Sequence, residues 1–185
     1  MKKTVLFTIA VLSLNTLMAQ KTYYSTKAGA AYFDAGTGVE DITAINKLTT
    51  VIMDPSTGKM NFLLNIKGFE FKSQLMQDHF NENYMESDKF PTSSFKGTIS
   101  NISKVNFAKD GSYPVTVTGT LEIHGVKNEV STTGTIKIKG ETVEANSEFN
   151  IQLEDYKIPV PSVVGEKLSK TVKIKINASL SKLVK

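Results

Sequence analysis

Between Tyr113 and Leu153 apolar and polar residues alternate with a period of two. Val115, Val117, Leu121 and Ile123 fall on one side, with Thr116, Thr118, Thr120 and Glu122 on the other. Val130, Thr132, Ile136 and Ile138 repeat the pattern before a reversal at Lys139-Gly140-Glu141. Val143, Ala145, Ser147, Phe149, Ile151 and Leu153 then alternate with Glu144, Asn146, Glu148, Asn150 and Gln152. Successive strand side chains point to opposite faces, so this predicts a meander of three long antiparallel strands with one dry and one wet face.

Upstream, Tyr23 to Phe33 suggests an opening strand, broken at Gly36-Thr37-Gly38. Leu48 to Met53 and Lys59 to Ile66 flank Asp54-Pro-Ser-Thr-Gly58, a segment rich in turn residues, and predict a hairpin. The period then changes. Leu75, Met76, His79, Phe80, Asn83 and Tyr84 are spaced by three and four behind a potential cap at Ser73, predicting one helix over about residues 73–87. Its apolar stripe must dock over an open end or seam of the sheet. Ser94 to Ile102 and Val105 to Lys109 read as two further strands, and Lys170 to Leu180 as the last. Pro159 and Pro161 exclude a central strand from the irregular stretch after Leu153. The fold class is mainly β: about eight strands spaced as in an up-and-down barrel, with one helix packed over it.

The N-terminus stands apart from this pattern. A charged start, Met1-Lys2-Lys3, precedes an apolar run from Val5 to Leu14 and a small residue at Ala19. This reads as a secretory signal peptide over residues 1–19, and the apolar run is short for a membrane anchor. Residues 20–185 then form a single domain of 166 residues, periplasmic or secreted, with no membrane span left after cleavage. With no cysteine in the chain, lipoprotein anchoring and disulfides are both excluded. Loss of the leader lowers the net charge from +4 to +2. All 22 basic residues are lysine, and the lack of arginine argues against sequence-specific nucleic-acid binding.

Chemistry-bearing constellations are sparse. His79 and His124 are the two histidines, and neither belongs to a cluster with metal-ligand spacing. Phosphate loops, dinucleotide fingerprints and nucleophile elbows are missing, so the reading is of a non-enzyme without metal or cofactor.

Three stretches together resemble the YceI-like family of secreted, polyisoprenoid-binding bacterial proteins. One is Val117-Thr-Gly-Thr-Leu-Glu-Ile-His-Gly-Val126; another joins Asp78-His79-Phe80 to Asp88-Lys89-Phe90-Pro91 and Phe95-Lys96. The third is Phe149 to Ile158 with Val172 to Ile176. Departures from the family pattern lie at Tyr23 to Asp34, which lacks the usual tryptophan and histidine, and at Glu129, where a proline is common. The resemblance implies an extended lipocalin-like barrel holding a long isoprenoid chain in an internal tunnel.

Alternation alone leaves a filled core and a tunnel equally open. With the resemblance, the expected tunnel lining is Met76 and Phe80 from the helix, Phe62, Leu64 and Phe95 from the first strands, and Val117, Leu121, Ile136, Phe149 and Ile174 from the later ones. His79, Asn83 and Tyr84 are the candidates for meeting a polar head group. The function expected is transport, storage or sequestration of a long-chain lipophile, an isoprenoid such as a quinone or polyprenyl lipid. The rival is a solid barrel whose lysine-rich outer face binds acidic partners, with Lys167, Lys170, Lys173, Lys175, Lys182 and Lys185 following the last acid, Glu166. Either reading is compatible with a homodimer.

Overall fold

The computed structural model describes residues 21–161 and 166–184. The expected signal peptide lies outside the described residues. Among the described residues nine strands and one α-helix follow in the order β1 (Thr22–Gly36), β2 (Thr43–Met53), β3 (Lys59–Asn65), β4 (Phe69–Phe71), α1 (Gln74–His79), β5 (Thr92–Ile99), β6 (Gly111–Ile123), β7 (Val126–Lys139), β8 (Thr142–Gln152) and β9 (Leu168–Val184), with short 3-10 or π turns between some of them. Eight of them form a closed antiparallel barrel in the order β1-β9-β8-β7-β6-β5-β3-β2, sealed by pairing of β2 with β1. The ninth, β4, pairs only with the first part of β2, opposite Ala44 to Asn46.

Turn chemistry sets the meander. β6 and β7 are joined by His124-Gly125, both at positive φ (53° and 72°), the geometry that matches the twist of a two-residue hairpin. Gly140, at φ 57°, does the same between β7 and β8. Register runs unbroken from Gly111↔Ile138 to Ile123↔Val126, so every inward residue of β6 meets an inward residue of β7.

β1 and β2 are less regular. Thr26 pairs with Val51, Gly29 with Thr49 and Ala31 with Asn46, so each strand carries one extra residue and the two bulges cancel. Asn46, fully buried, holds the β2 bulge: its amide donates to the Asn65 carbonyl (2.8 Å) and its side-chain oxygen accepts from the Leu48 N–H (2.8 Å). The bulge explains why β2 begins five residues before the predicted Leu48, since alternation is interrupted there.

Two predicted elements differ from the structure. The helix is α only over Gln74–His79 and continues as a π-turn over Phe80–Tyr84, with Met85 N–H donating to the Phe80 carbonyl at 2.9 Å. The side chain of Ser73 makes no capping bond. A spacing of three and four does not separate these two helical forms. Val105 to Lys109 is not a strand. That segment turns across one end of the barrel, where Val105 and Phe107 pack with Ile102 against Tyr24, Met53, Met60 and Leu180, and Phe107 stacks on Tyr24 at 5.7 Å between centroids. Its two alternating apolar residues form a plug.

The β2–β3 hairpin closes on Asp54. Gly58 N–H donates to the Asp54 carbonyl (2.8 Å), and the Asp54 carboxylate accepts from the Ser56 hydroxyl (2.5 Å) and N–H (2.9 Å) and pairs with Lys21 (3.3 Å). The Ser56 hydroxyl above all, then its N–H and Lys21, hold this carboxyl at a pKa of about 2 against partial burial. A folded-state pKa below the unfolded value contributes stability above about pH 4, which is lost as pH falls through about 2. Asp54→Asn is expected to lower stability at neutral pH by about 1–2 kcal/mol. The gap to the parent protein should close between pH 4 and 2 in urea-unfolding curves; an offset constant with pH would refute this account.

Candidate functional site: an apolar cavity beneath the helix

An eight-stranded barrel is just wide enough for its side chains to fill it, so whether it is hollow depends on the size of what points inward. At the plugged end Met53, Met60, Ile136, Ile138, Val143 and Leu180 fill the interior. Nearer the helix the inward positions include Ala31, Thr132, Gly134, Ala145 and Ser147, and the space they leave is a cavity of about 590 Å³. Gly97 and Gly119 face each other across β5 and β6, where a Cβ on Gly119 would lie 2.4 Å from the Gly97 Cα. Their closeness leaves room for the Phe95 ring to lie over Gly97 as part of the cavity wall.

The helical segment covers the gap left where β4 lacks a second neighbour. Phe80 is its anchor: its ring stacks on Phe33 at 5.3 Å and meets Phe71 at 5.0 Å and Phe69 at 5.5 Å. Offset and edge contacts of this kind add about 0.5–1.5 kcal/mol each beyond burial.

All ten residues expected to line a tunnel border this cavity: Phe62, Leu64, Met76, Phe80, Phe95, Val117, Leu121, Ile136, Phe149 and Ile174. Of the three head-group candidates, His79 and Tyr84 border it, whereas Asn83 is exposed and lies outside the wall. The sequence reading missed contributions from the irregular segments, namely Ile42, Met85 and Ile158, from Leu168 at the start of β9, and from the rings of Phe33, Phe69 and Phe71. The pair Phe69-x-Phe71 was the available signal for the aromatic part.

Polar groups in the wall are few and mostly paired with protein. Ser93 donates to the Glu122 carbonyl (2.7 Å), Ser147 donates to the Thr133 carbonyl (2.8 Å), and Thr132 and Ser147 lie 3.2 Å apart. Glu40 and Lys167, also on the wall, form a half-exposed ion pair at 3.1 Å. A wall of this character favours hydrocarbon, since it is built mainly of apolar side chains and several of its polar groups are already paired, although the buried Thr49 hydroxyl has no protein partner.

One polar cluster braces the loops at the helical end. His124, 8 % exposed, has its Nε2 2.9 Å from Glu86 Oε2 and its Nδ1 3.2 Å from the Tyr156 carbonyl. Both partners are acceptors, so both bonds form together only when each ring nitrogen carries a hydrogen. Glu86, His124 and Lys157 all adopt left-handed backbone angles (φ 42°, 53° and 55°), a local cost of about 1 kcal/mol each that the cluster offsets. Phe90 packs edge-on against the imidazole at 4.5 Å, and a Cβ on Gly125 would come within 2.6 Å of the Phe90 ring. Burial pushes the Tyr156 hydroxyl above its usual pKa.

A closed antiparallel barrel with an apolar cavity that reaches the surface and a short helix across one gap defines a lipocalin-like fold. Residues 25–180 match the YceI-like domain, and the chain belongs to that family. No curated protein matches the sequence. Among solved structures, a polyisoprenoid-binding domain from Saccharophagus degradans, implicated in plant cell wall breakdown, superimposes with a TM-score of 0.73 at 12 % identity, covering 88 % of this chain and 98 % of the other. BcnA of Burkholderia cenocepacia gives 0.68 at 16 % identity, covering 83 % and 96 %, and a Campylobacter jejuni YCEI protein gives 0.50 at 15 %, covering 97 % and 98 %. At these identities the likeness is one of fold.

The brace yields a prediction. His124→Asn suits the positive-φ turn but removes the ring, and is expected to cost about 1–3 kcal/mol. Hydrogen exchange should quicken at Ser87 to Phe90 and at Tyr156 to Ile158. Unchanged protection in both segments would show that the cluster braces nothing.

Proposed function

We propose that the protein is a non-enzymatic binding protein for a long-chain lipophile, an isoprenoid such as a quinone or polyprenyl lipid, held in the barrel cavity. The observation that carries this reading is the apolar space of about 590 Å³, within the range of about 300–1,000 Å³ seen for small-molecule sites. Removing hydrocarbon from water is worth about 0.8 kcal/mol per CH₂, so a prenyl chain binds such a wall without a specific polar contact. The polyisoprenoid-binding neighbour supports the same ligand class. Export to the periplasm or beyond, and a role in carrying, storing or sequestering the lipid, complete the proposal.

The rival solid barrel has less support. Its premise is a filled interior, and two of its lysines, Lys167 and Lys173, pair with Glu40 and Glu148 at 3.1 and 3.9 Å.

Native mass spectrometry of the purified protein, followed by solvent extraction, is expected to reveal a stoichiometric prenyl species released on denaturation. Bare protein that also fails to bind added quinone and polyprenyl phosphate would end the carrier reading. Ser147→Leu, which puts a larger side chain into the cavity, is expected to weaken lipid binding at least about tenfold while leaving the melting temperature within a few degrees. Undiminished binding by a folded Ser147→Leu protein would place the ligand elsewhere.

A further inference from the structure

We propose that the outer face of β2 and β3, together with the first turn of α1, docks on an anionic lipid surface, so that a ligand passes between bilayer and cavity at that contact. This deepens the lipid-binding reading and rests on it for the identity of what is transferred.

The first observation is a concentration of exposed leucine and isoleucine. Leu48, Ile52, Leu63 and Leu75 are 71, 41, 50 and 63 % exposed. Leu63 lies opposite Thr50, so Leu48 and Ile52, two residues to either side, fall on its diagonals and the three share one outward patch. Leu48 is not outward by accident of a frayed end. It sits in the β2 bulge, whose conformation is held by the fully buried Asn46 through the 2.8 Å bond to the Leu48 N–H. A bulge that re-aims an apolar side chain into solvent, fixed by a buried amide, gives that side chain work outside the core.

Charge is the second observation. β2, β3 and the adjoining β5 contain no aspartate or glutamate, but carry Lys47, Lys59 and Lys96. Lys96 is paired in register with Asn61, next to Leu63 on the same outer side. Among the described residues Lys59 and Lys96 have no carboxylate partner, while Lys47 meets Glu70 of β4 at 3.1 Å. By contrast, β6, β7 and β8 carry Glu122, Glu129, Glu144 and Glu148 among their lysines. Exposed leucines bordered by Lys59 and Lys96, neither of which has a carboxylate partner among the described residues, suit a bilayer with anionic headgroups, with Glu70 and Asp78 the acids at the margin of the patch.

The third is continuity. Leu63 and Leu75 border the cavity as well as the surface. A chain leaving the cavity beside them moves from one apolar wall to another.

The test is flotation with vesicles of phosphatidylcholine alone and with about one-third phosphatidylglycerol, at low and raised salt. The protein is expected to float with the anionic vesicles, less so at raised salt. The double variant Leu48→Ser/Leu63→Ser should lose at least tenfold in partitioning, whereas Leu183→Ser, an exposed apolar site on β9, should not. Absence of flotation, or equal flotation by the double variant, overturns the proposal. So does a concentration-dependent dimer, seen by sedimentation, that the double variant abolishes, because the patch would then be a self-association surface. Titration with a fluorescent polyene fatty acid in vesicle-free buffer separates the two readings. Retained probe binding without flotation sinks the docking face alone; flotation without probe binding sinks the cavity reading alone.

Discussion

Closure of the barrel is the constraint on which everything else in this molecule depends. Once β1 hydrogen-bonds to both β9 and β2, the interior width is set by strand number, and no adjustment of the backbone widens it for a ligand. Space can then arise only from side-chain size. The chain packs large inward residues at one end, Met53, Met60 and Leu180 among them, and the hollow opens where small inward residues such as Ala31, Gly134 and Ser147 fall among larger ones such as Phe95, Phe149 and Ile174. The packed base provides the stability of a conventional core, which frees the upper interior from having to be filled.

Closure also explains the placement of the irregular parts. Among the described residues the wall is incomplete beyond Gly134, where β7 and β8 cease to pair, and beside β4, which has a neighbour on one side only. The helical segment covers the second of these through Phe80, and the loops bearing Glu86, His124 and Tyr156 are tied to one another at the same end. Residues that look unrelated along the chain are thereby joined. The His-Gly of the β6–β7 turn and the Phe90-Pro91 stretch belong together because the Phe90 ring occupies the space that only a glycine at position 125 leaves.

The meander was legible because thirteen consecutive pairs of β6 and β7 obey strict alternation, with a turn that needs positive φ at its centre. The strand positions in the expected lining came from the same alternation and Met76 and Phe80 from the helical spacing, while reading them as wall instead of core came from the family resemblance. Four features were not legible. The paired bulges of β1 and β2 interrupt alternation and conceal Thr43 to Lys47 as strand. The π-turn after His79 has the same apolar spacing as an α-helix, and is selected by tertiary anchoring of Phe80. Val105 and Phe107 alternate as a strand would, but two residues are too few to distinguish a pleat from a plug. The division between filled and hollow interior was likewise invisible, because it depends on which inward residues share a level of the barrel and not on their order in the chain.

The plug formed by Ile102, Val105 and Phe107 against Tyr24 makes the hollow a blind sac at that end. If the proposed lipid occupies it, a flexible chain would thread such a sac lengthwise, leading with its most apolar end, and would have to back out along the path by which it came. Residence time is then a property of the whole inserted length, because every methylene withdrawn re-enters water before the next can follow. A longer homologue of the same lipid would dissociate more slowly without making any new kind of contact, and the protein would rank its cargo by length.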